Sequence, residues 1–477
     1  MTSLRKAIAV ICAAIMIYAV PMPAVAQAVS ISPPVILAES FILYEPDRDM
    51  ILYAKDETKR MYPASITKIL TALLVEEHIA ADELLIAGAE IKQIPADSSR
   101  ARHEEGEALS RINLLRGLII PSGNETANIV AMHIARQISG NYDISYRDAE
   151  ALFSGVMNEK TKALGAEDTN FVNPHGYHAG AHYTTALDMA RITKAALESE
   201  LIMQIAMETE YIGPSALTDD PSLQITEHNW TAHNLLVQAG VAHYPYATGL
   251  KTGFTTPAGE CLAATAEKDG RRLIAILFNV PKDMRWQDAQ NLFDYGFEAF
   301  GEHTLQEAGE IIGRIDIQNP RLGDPQTMRY YAKDDCVVFV NKADQANIVQ
   351  DIAIDRALLA PPVVDEETGE TDDTPRITPP VERGAVVGSV AYSLNGEILY
   401  TGELLAAADV EARTFNTDAD YYVTKFKSEA FTLSAIPYWF MGITVPVASI
   451  VFVVFLVRRG RQKNSGRYYF EKRGRRW

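Results

Sequence analysis

Three short runs, set far apart in the chain, constrain this sequence more than any other feature: Ser65-Ile66-Thr67-Lys68, then Ser122-Gly123-Asn124, then Lys251-Thr252-Gly253-Phe254-Thr255. A serine hydroxyl is a weak nucleophile near neutral pH and needs a base beside it. Lys68 falls three residues after Ser65, on the same face of a helix. Burial and a second cation, Lys251, would lower its pKa enough for it to take that proton. For the three runs to act together, the fold must carry a helix start, a loop between helices and a strand to one cleft. Each run alone is common. Ser3-Leu4-Arg5-Lys6 repeats the first spacing, Ser139-Gly140-Asn141 the second, and Ser393-Leu394-Asn395 is a further S-x-N. Ser3 lies in a leader-like segment, Gly140 caps the C-terminus of a helical run, and Ser393 comes after Lys251, out of order. Taken singly, Ser65 is an N-cap, Asn124 a turn residue, and Lys251-Thr252-Gly253 an edge strand with a bulge at Gly253. Only the ordered set favours catalysis.

The surrounding patterns place the runs. Phe41, Leu43 and Tyr44, the turn Pro46-Asp47-Arg48-Asp49, then Ile51 and Tyr53 predict a hairpin. Ile66, Ile69, Leu70, Leu73 and Leu74 give a helix with Ser65 at its start. Leu114, Leu115, Leu118 and Ile119 give a second helix that stops at Pro121, and Ile129, Val130 and Ile134 a third, so Ser122 to Asn124 forms a loop between helices. Tyr211 to Tyr246 reads as polar and irregular. Thr248 to Thr255, Cys261 to Thr265 and Leu273 to Val280 read as successive strands, followed by a helix through Ala289, Leu292, Phe293 and Phe297. These patterns put a mixed α/β domain over 27–304. Short β-like runs from Ile311 to Ile354 and Gly384 to Leu405 make a smaller β-rich domain over 305–430, split by a Pro-, Thr-, Asp- and Glu-rich excursion at 361–383 expected to be disordered.

The two ends predict export and anchoring. Arg5 and Lys6, an apolar run from Ala7 to Val20, and Ala24-Val25-Ala26 make a signal peptide over 1–26. Ile436 to Val457 gives 22 residues without a charge, enough to cross about 30 Å of hydrocarbon as a helix kinked at Pro446. The tail 458–477 carries nine Lys or Arg and one Glu; by the positive-inside rule it is cytoplasmic and the rest extracytoplasmic. Removing the +8 of this tail and the +2 of the leader from the formal −18 leaves −28 on the exported part, which excludes nucleic acid as a partner there. The basic tail suits anionic lipid headgroups. Cys12 leaves with the leader; Cys261 and Cys336 read as buried thiols, not a disulfide framework. Nothing in the sequence sets the oligomeric state.

The ordered trio is the signature shared by penicillin-binding proteins and class A β-lactamases. Over about residues 35 to 410 the chain resembles the serine-type D-alanyl-D-alanine carboxypeptidases, the low-molecular-mass penicillin-binding proteins. The resemblance takes in S-G-N as second motif, Phe171-Val172-Asn173-Pro174-His175-Gly176, and Arg285 ahead of Asp288-Ala289-Gln290-Asn291-Leu292. It implies a catalytic domain built on a helix-flanked antiparallel sheet with a helical lobe, then a β-sandwich stalk. It implies Ser65 as acyl-enzyme nucleophile, Lys68 as proton acceptor, and Ser122 as a third catalytic member relaying a proton to the leaving group. Asn124 would bond the substrate amide, and the N–H groups of Ser65 and Phe254 would hold the oxyanion. Lys251, Thr252, Thr255 and Arg285 would take the substrate's terminal carboxylate. The implied partners are peptidoglycan stem peptides and β-lactams, with no cofactor. Members of this family often end in an amphipathic surface helix, whereas a full span is expected here.

The expected reaction is therefore removal of the terminal D-alanine from stem pentapeptides through an acyl-serine. The alternatives are a D,D-transpeptidase or endopeptidase of the same fold, or a non-catalytic wall-binding protein, which would have no need of Ser65, Lys68 and Lys251. A β-lactamase would need a water-activating carboxylate, and no E-x-x-L-N run falls between Ser122 and Lys251. His175, His178 and His182 lack acidic or cysteine partners at helical spacing, so they read as an ordered loop and not as a metal site.

Overall fold

A computed structural model describes residues 31–364, 368, 370–430 and 436–470; the leader 1–26 and the end of the tail, 471–477, lie outside the described residues. One compact unit runs to Glu302 and takes in Phe339–Gln345 as well. Its centre is a five-stranded antiparallel sheet in the order Met50–Lys55, Ser40–Glu45, Arg271–Val280, Gly259–Lys268, Ala247–Thr255. The period-two alternation of side chains divides the core in two. Ile42, Cys261, Ala263, Ile274 and Ile276 face the helical lobe. Phe41, Leu43, Leu262, Ala264, Leu273 and Leu277 face Trp286, Ala289, Leu292 and Phe293 of the helix Arg285–Ala299. With both faces covered, these strands read as continuous apolar runs.

The helix Lys68–His78 is the axis of the lobe. Every residue from Lys68 to Val75 is buried, so polar Lys68 and Thr71 are buried with the rest and must find partners inside. The helices Arg111–Ile119, Asn124–Ser139, Tyr146–Ala163 and Ala186–Leu197 pack around it. Ser145 and Thr185 cap two of them by accepting from the N–H groups of Asp148 and Asp188, and Gly140 ends another in the left-handed conformation.

Two expectations are corrected. Within 211–246, Glu210–Pro214 and Glu227–Thr231 form an antiparallel hairpin. His228 and Trp230 point inward while Glu227, Asn229 and Thr231 are exposed, an alternation hidden in the sequence because histidine counts as polar. The 361–383 excursion, expected to be disordered, contains strands among its described residues. Val363–Val364 pairs with Thr371–Asp372, and Arg376–Ile377 adds a parallel edge to the strand Ile311–Ile317. Ile377, fully buried, is the apolar anchor that a composition dominated by Pro, Thr and Asp obscured.

The second unit, His303–Val338 with the chain from Ala346, holds a six-stranded sheet. Its strands are ordered Val349–Ile354, Val386–Leu394, Glu397–Ala406, Thr327–Ala332, Ile311–Ile317, Arg376–Ile377, around a core of Ile315, Met328, Tyr330, Val390 and Leu404. This is the expected β-rich domain, although its last segment, Phe415–Ala430, is a helix. Cys261 and Cys336 are buried free thiols. The helix Ile436–Phe470 contains Pro446 and continues beyond the expected end at Val457; Met441–Arg459 is its stretch long and apolar enough to cross a membrane.

Candidate active site

The three runs meet in the first unit. Ser65 lies on a 3-10 turn, Ala64–Thr67, that leads directly into the α-helix beginning at Lys68. This short turn puts the serine hydroxyl and the lysine amine side by side: Lys68 Nζ is 2.9 Å from Ser65 Oγ. It is also 2.7 Å from Asn124 Oδ1, 3.0 Å from the His175 carbonyl and 3.5 Å from Ser122 Oγ. Burial pushes the Lys68 pKa well below its ordinary value, and the Lys251 cation adds to this; Glu125 opposes both without overcoming them. A neutral amine has two N–H donors and one lone pair. The amide oxygen and the carbonyl can only accept, so they take the two donors, and the lone pair is left for the Ser65 O–H. This is the arrangement of a general base on its nucleophile.

Two residues of the site hold positive φ without being glycine, Ala64 at 48° and Ser122 at 62°. Such conformations cost about 1 kcal/mol or more each and persist only where the surroundings impose them. Neighbours lock the turn at Ala64: Thr67 Oγ1 donates to the Ala64 carbonyl at 2.8 Å and lies 2.9 Å from His182 Nε2. His182 Nδ1 accepts from the Val172 N–H at 3.1 Å, so Nε2 carries the proton and donates to Thr67. Glycine is required where other chain approaches this turn. A Cβ on Gly176, at φ 82°, would fall 1.8 Å from the Ala64 carbonyl oxygen, and one on Gly253 would sit 3.0 Å from the Ser65 nitrogen. The middle residue of Lys251-Thr252-Gly253 therefore lets the strand lie against the nucleophile turn. The register shift in this edge strand falls between Ala247 and Gly249, and not at Gly253.

Lys251 is buried, donates to the Thr252 carbonyl at 3.0 Å, and is lowered to about 7 by burial first and by Arg285 second. Arg285 opens the helix Arg285–Ala299; its Nη1 reaches the Gly253 carbonyl at 3.4 Å and its Nε lies 3.5 Å from Glu260. It stands at the third motif instead of in solvent. Burial lowers Arg285 as well. A buried and a half-buried cation that repel each other form a ready counter-charge for an incoming carboxylate. His233 faces the same cations; burial and the charges of Lys251, Arg285 and Lys68 bring it down to about 4, so it is neutral there. Thr252 is buried, and Phe254, 63% exposed, stands at the rim of a cleft of about 410 Å³ lined also by Ser65, Asn124, Thr255 and Tyr177. All nine candidate residues are thus gathered around one turn and one strand.

Sequence reasoning missed three contributors. The His175 carbonyl holds Lys68, a role that backbone geometry alone reveals. Glu125 acts on Lys68 through its charge, and His233 is held neutral by burial and the site's cations, with no motif to mark either. Of the three loop histidines, His175 accepts from the Tyr177 N–H, His178 packs edge-on against Tyr62, and His182 braces Thr67. Burial holds His175 well below its usual range and His182 at about 3. A different buried trio, His103, Glu107 and His228, has the donor set of a metal site. Both imidazoles bond Glu107 Oε1, at 3.2 and 2.6 Å, while His103 Nε2 meets Thr126 Oγ1 at 2.9 Å. These bonds tie the hairpin to the helix that follows Asn124.

Residues 27–282 match the family described as D-alanyl-D-alanine carboxypeptidase, and residues 300–412 match the C-terminal domain of penicillin-binding protein 5. The chain is 28% identical over 385 residues to the D-alanyl-D-alanine carboxypeptidase DacF of Bacillus subtilis, covering 80% of this chain and 87% of that protein. It is 26% identical over 408 residues to DacA of Haemophilus influenzae, covering 83% and 91%. The crystal structure of penicillin binding protein 5 from Haemophilus influenzae superposes with a TM-score of 0.52 at 25% identity, covering 80% of this chain and 99% of that one. A mutant of the Streptomyces K15 DD-transpeptidase gives 0.50 at 25% identity, over 55% of this chain and 99% of that one.

Proposed function

The chain belongs to the D-alanyl-D-alanine carboxypeptidase family and is a serine hydrolase of the penicillin-binding protein fold, and from that premise we propose that Ser65, Lys68 and Ser122 carry the reaction. Ser65 Oγ attacks the carbonyl of the penultimate D-alanine while Lys68 takes the hydroxyl proton. The amide bond to the terminal D-alanine breaks, and its nitrogen gains a proton passed through Ser122. Water then attacks the ester, Lys68 takes a proton from it, and Ser65 recovers its own. Asn124 holds the substrate amide, the N–H groups of Ser65 and Phe254 stabilise the oxyanion, and Lys251, Thr252, Thr255 and Arg285 hold the terminal carboxylate. Peptidoglycan stem peptides are the substrate, and β-lactams acylate the same serine.

The observation that carries this proposal is the pairing of a buried lysine of lowered pKa with a serine 2.9 Å away, no carboxylate among the described residues being bonded to the lysine. The test is release of free D-alanine from a peptide ending in D-Ala-D-Ala. Wild type should release it and Ser65→Ala should not; equal release from both would refute the assignment. Similarity to the DD-transpeptidase supports a second outcome for the same acyl-enzyme, transfer to an amine in place of water. We further propose that residues 1–26 are a signal peptide, 27–304 the catalytic domain, 305–430 the stalk and 436–457 a single membrane span. The span would hold the catalytic domain on the extracytoplasmic face and leave 458–477 in the cytoplasm.

A further inference from the structure

We propose that His103, Glu107 and His228 form a binding site for one divalent ion of the zinc class, which clamps the hairpin of Glu210–Pro214 and Glu227–Thr231 to the segment under the second motif. The three side chains are buried and come from two separate stretches of chain, and one donor atom of each lies within 4.8 Å of the other two. Both imidazoles aim at the same point: His103 Nδ1 is 3.2 Å and His228 Nε2 2.6 Å from Glu107 Oε1. Zinc bonded at about 2.0–2.2 Å sets its ligand atoms about 3.3–3.5 Å apart, so shifts of about 1 Å turn this convergence into three corners of a tetrahedron. His228 also lines a groove of about 650 Å³ beside Arg102, Glu104 and Trp230, which gives an ion its way in and water as the fourth ligand.

The chemistry of the trio selects the ion. Glu107 is fully buried, and among the described residues no lysine or arginine pairs with it, so its charge meets only imidazole and backbone donors. A divalent cation offsets that charge where it lies. Two nitrogens and one oxygen suit zinc, whereas magnesium and calcium take oxygen-rich sets of about six or more ligands. The outer atoms of the ligands are already held: His103 Nε2 lies 2.9 Å from Thr126 Oγ1, and Glu107 Oε2 accepts from the Glu104 N–H at 2.8 Å. Outer bonds of this kind fix the tautomer and orientation of metal ligands. On loading, each imidazole carries its proton on the nitrogen away from the ion, so His103 Nε2–H donates to Thr126 and both rings stay neutral. Without the ion, the same two inner nitrogens donate to Glu107 and make the hydrogen-bonded brace. The clamp reaches the second motif through Thr126, which follows Asn124 on the same helix. It also reaches it through the loop before His103, whose Ala101 carbonyl accepts from Trp230 Nε1 at 2.8 Å and whose Ser99 carbonyl accepts from the Asn124 N–H at 2.9 Å.

The test strips the full-length protein in detergent with a chelator and reloads it with Co²⁺, then Zn²⁺. Wild type should bind one Co²⁺ per chain, with the visible absorption of a tetrahedral site, and exchange it for one Zn²⁺. Zinc should raise the thermal midpoint, and magnesium should not. His228→Gln and Glu107→Gln should each weaken zinc binding by about 100-fold or more, and Thr126→Val, which removes only an outer bond, by about 10- to 100-fold. X-ray absorption of the zinc-loaded wild type should show two imidazoles on the metal. Wild type that takes up no Co²⁺, or a site of undiminished affinity in His228→Gln and Glu107→Gln, overturns the proposal. If the variants do not fold, a spectrum without imidazole scattering around the bound zinc of wild type overturns it as well. These readouts are independent of D-alanine release, so failure here leaves the proposed function standing.

Discussion

At the scale of single residues, the site is governed by the placement of two lysines, and their titration sets the pH profile. In the proposed reaction Lys68 must be neutral to act as base, so activity should rise as pH climbs through its lowered pKa. In the same proposal Lys251 must be charged to hold a carboxylate, so activity should fall as pH climbs past about 7. The two limbs belong to the coupled pair, and kcat/KM reports them for the free enzyme. Lys251→Arg keeps the cation at all accessible pH and should carry the alkaline limb of kcat/KM upward; an unmoved limb would show that another group binds the carboxylate. The candidate residues were legible in the sequence because the chemistry demands particular side chains in a particular order. The His175 carbonyl and the neutral state of His233 were not, because a backbone oxygen has no letter in the sequence and burial is a property of the fold.

At the scale of elements, periodicity read the sheet and the helices well. Leu273 to Val280 stood out as a strand because both of its faces are buried, and Ile66 to Leu74 as a helix because it is apolar at helical spacing. It failed where polar residues are buried. The Glu227–Thr231 strand reads as loop in the sequence because His228 is held inward by Glu107, a long-range partner invisible to local pattern. Burial disfavours the Glu107 carboxylate, yet bonds from His103 and His228 outweigh it and hold the group at about 2. A lowered carboxyl pKa contributes stability that is present above the unfolded value near 4.5 and is lost as pH falls toward about 2. Glu107→Leu leaves two buried imidazoles without an acceptor and should cost about 1–3 kcal/mol, read as a lower midpoint in urea. An unchanged midpoint would show that the trio does not brace the hairpin.

At the scale of the whole molecule, the candidate site and the apolar helix fall in separate parts of the chain, since all candidate site residues precede Gly301 and the apolar helix begins at Ile436. Truncation before Ile436 should therefore give a soluble enzyme with full activity, while the full-length protein should stay in the membrane through a carbonate wash and leave it only with detergent. Recovery of full-length protein in the wash would contradict a membrane span. Length and the absence of charge made that apolar helix legible in the sequence. The Phe415–Ala430 helix was not, because its polar and apolar residues alternate too irregularly to separate it from the β-rich run before it. The central claim is that Ser65 becomes acylated, and mass spectrometry of the protein exposed to a penicillin tests it most directly. One adduct per chain, mapped to the peptide containing Ser65 and missing from Ser65→Ala, is the predicted result; an adduct on any other residue, or one retained by Ser65→Ala, would contradict it.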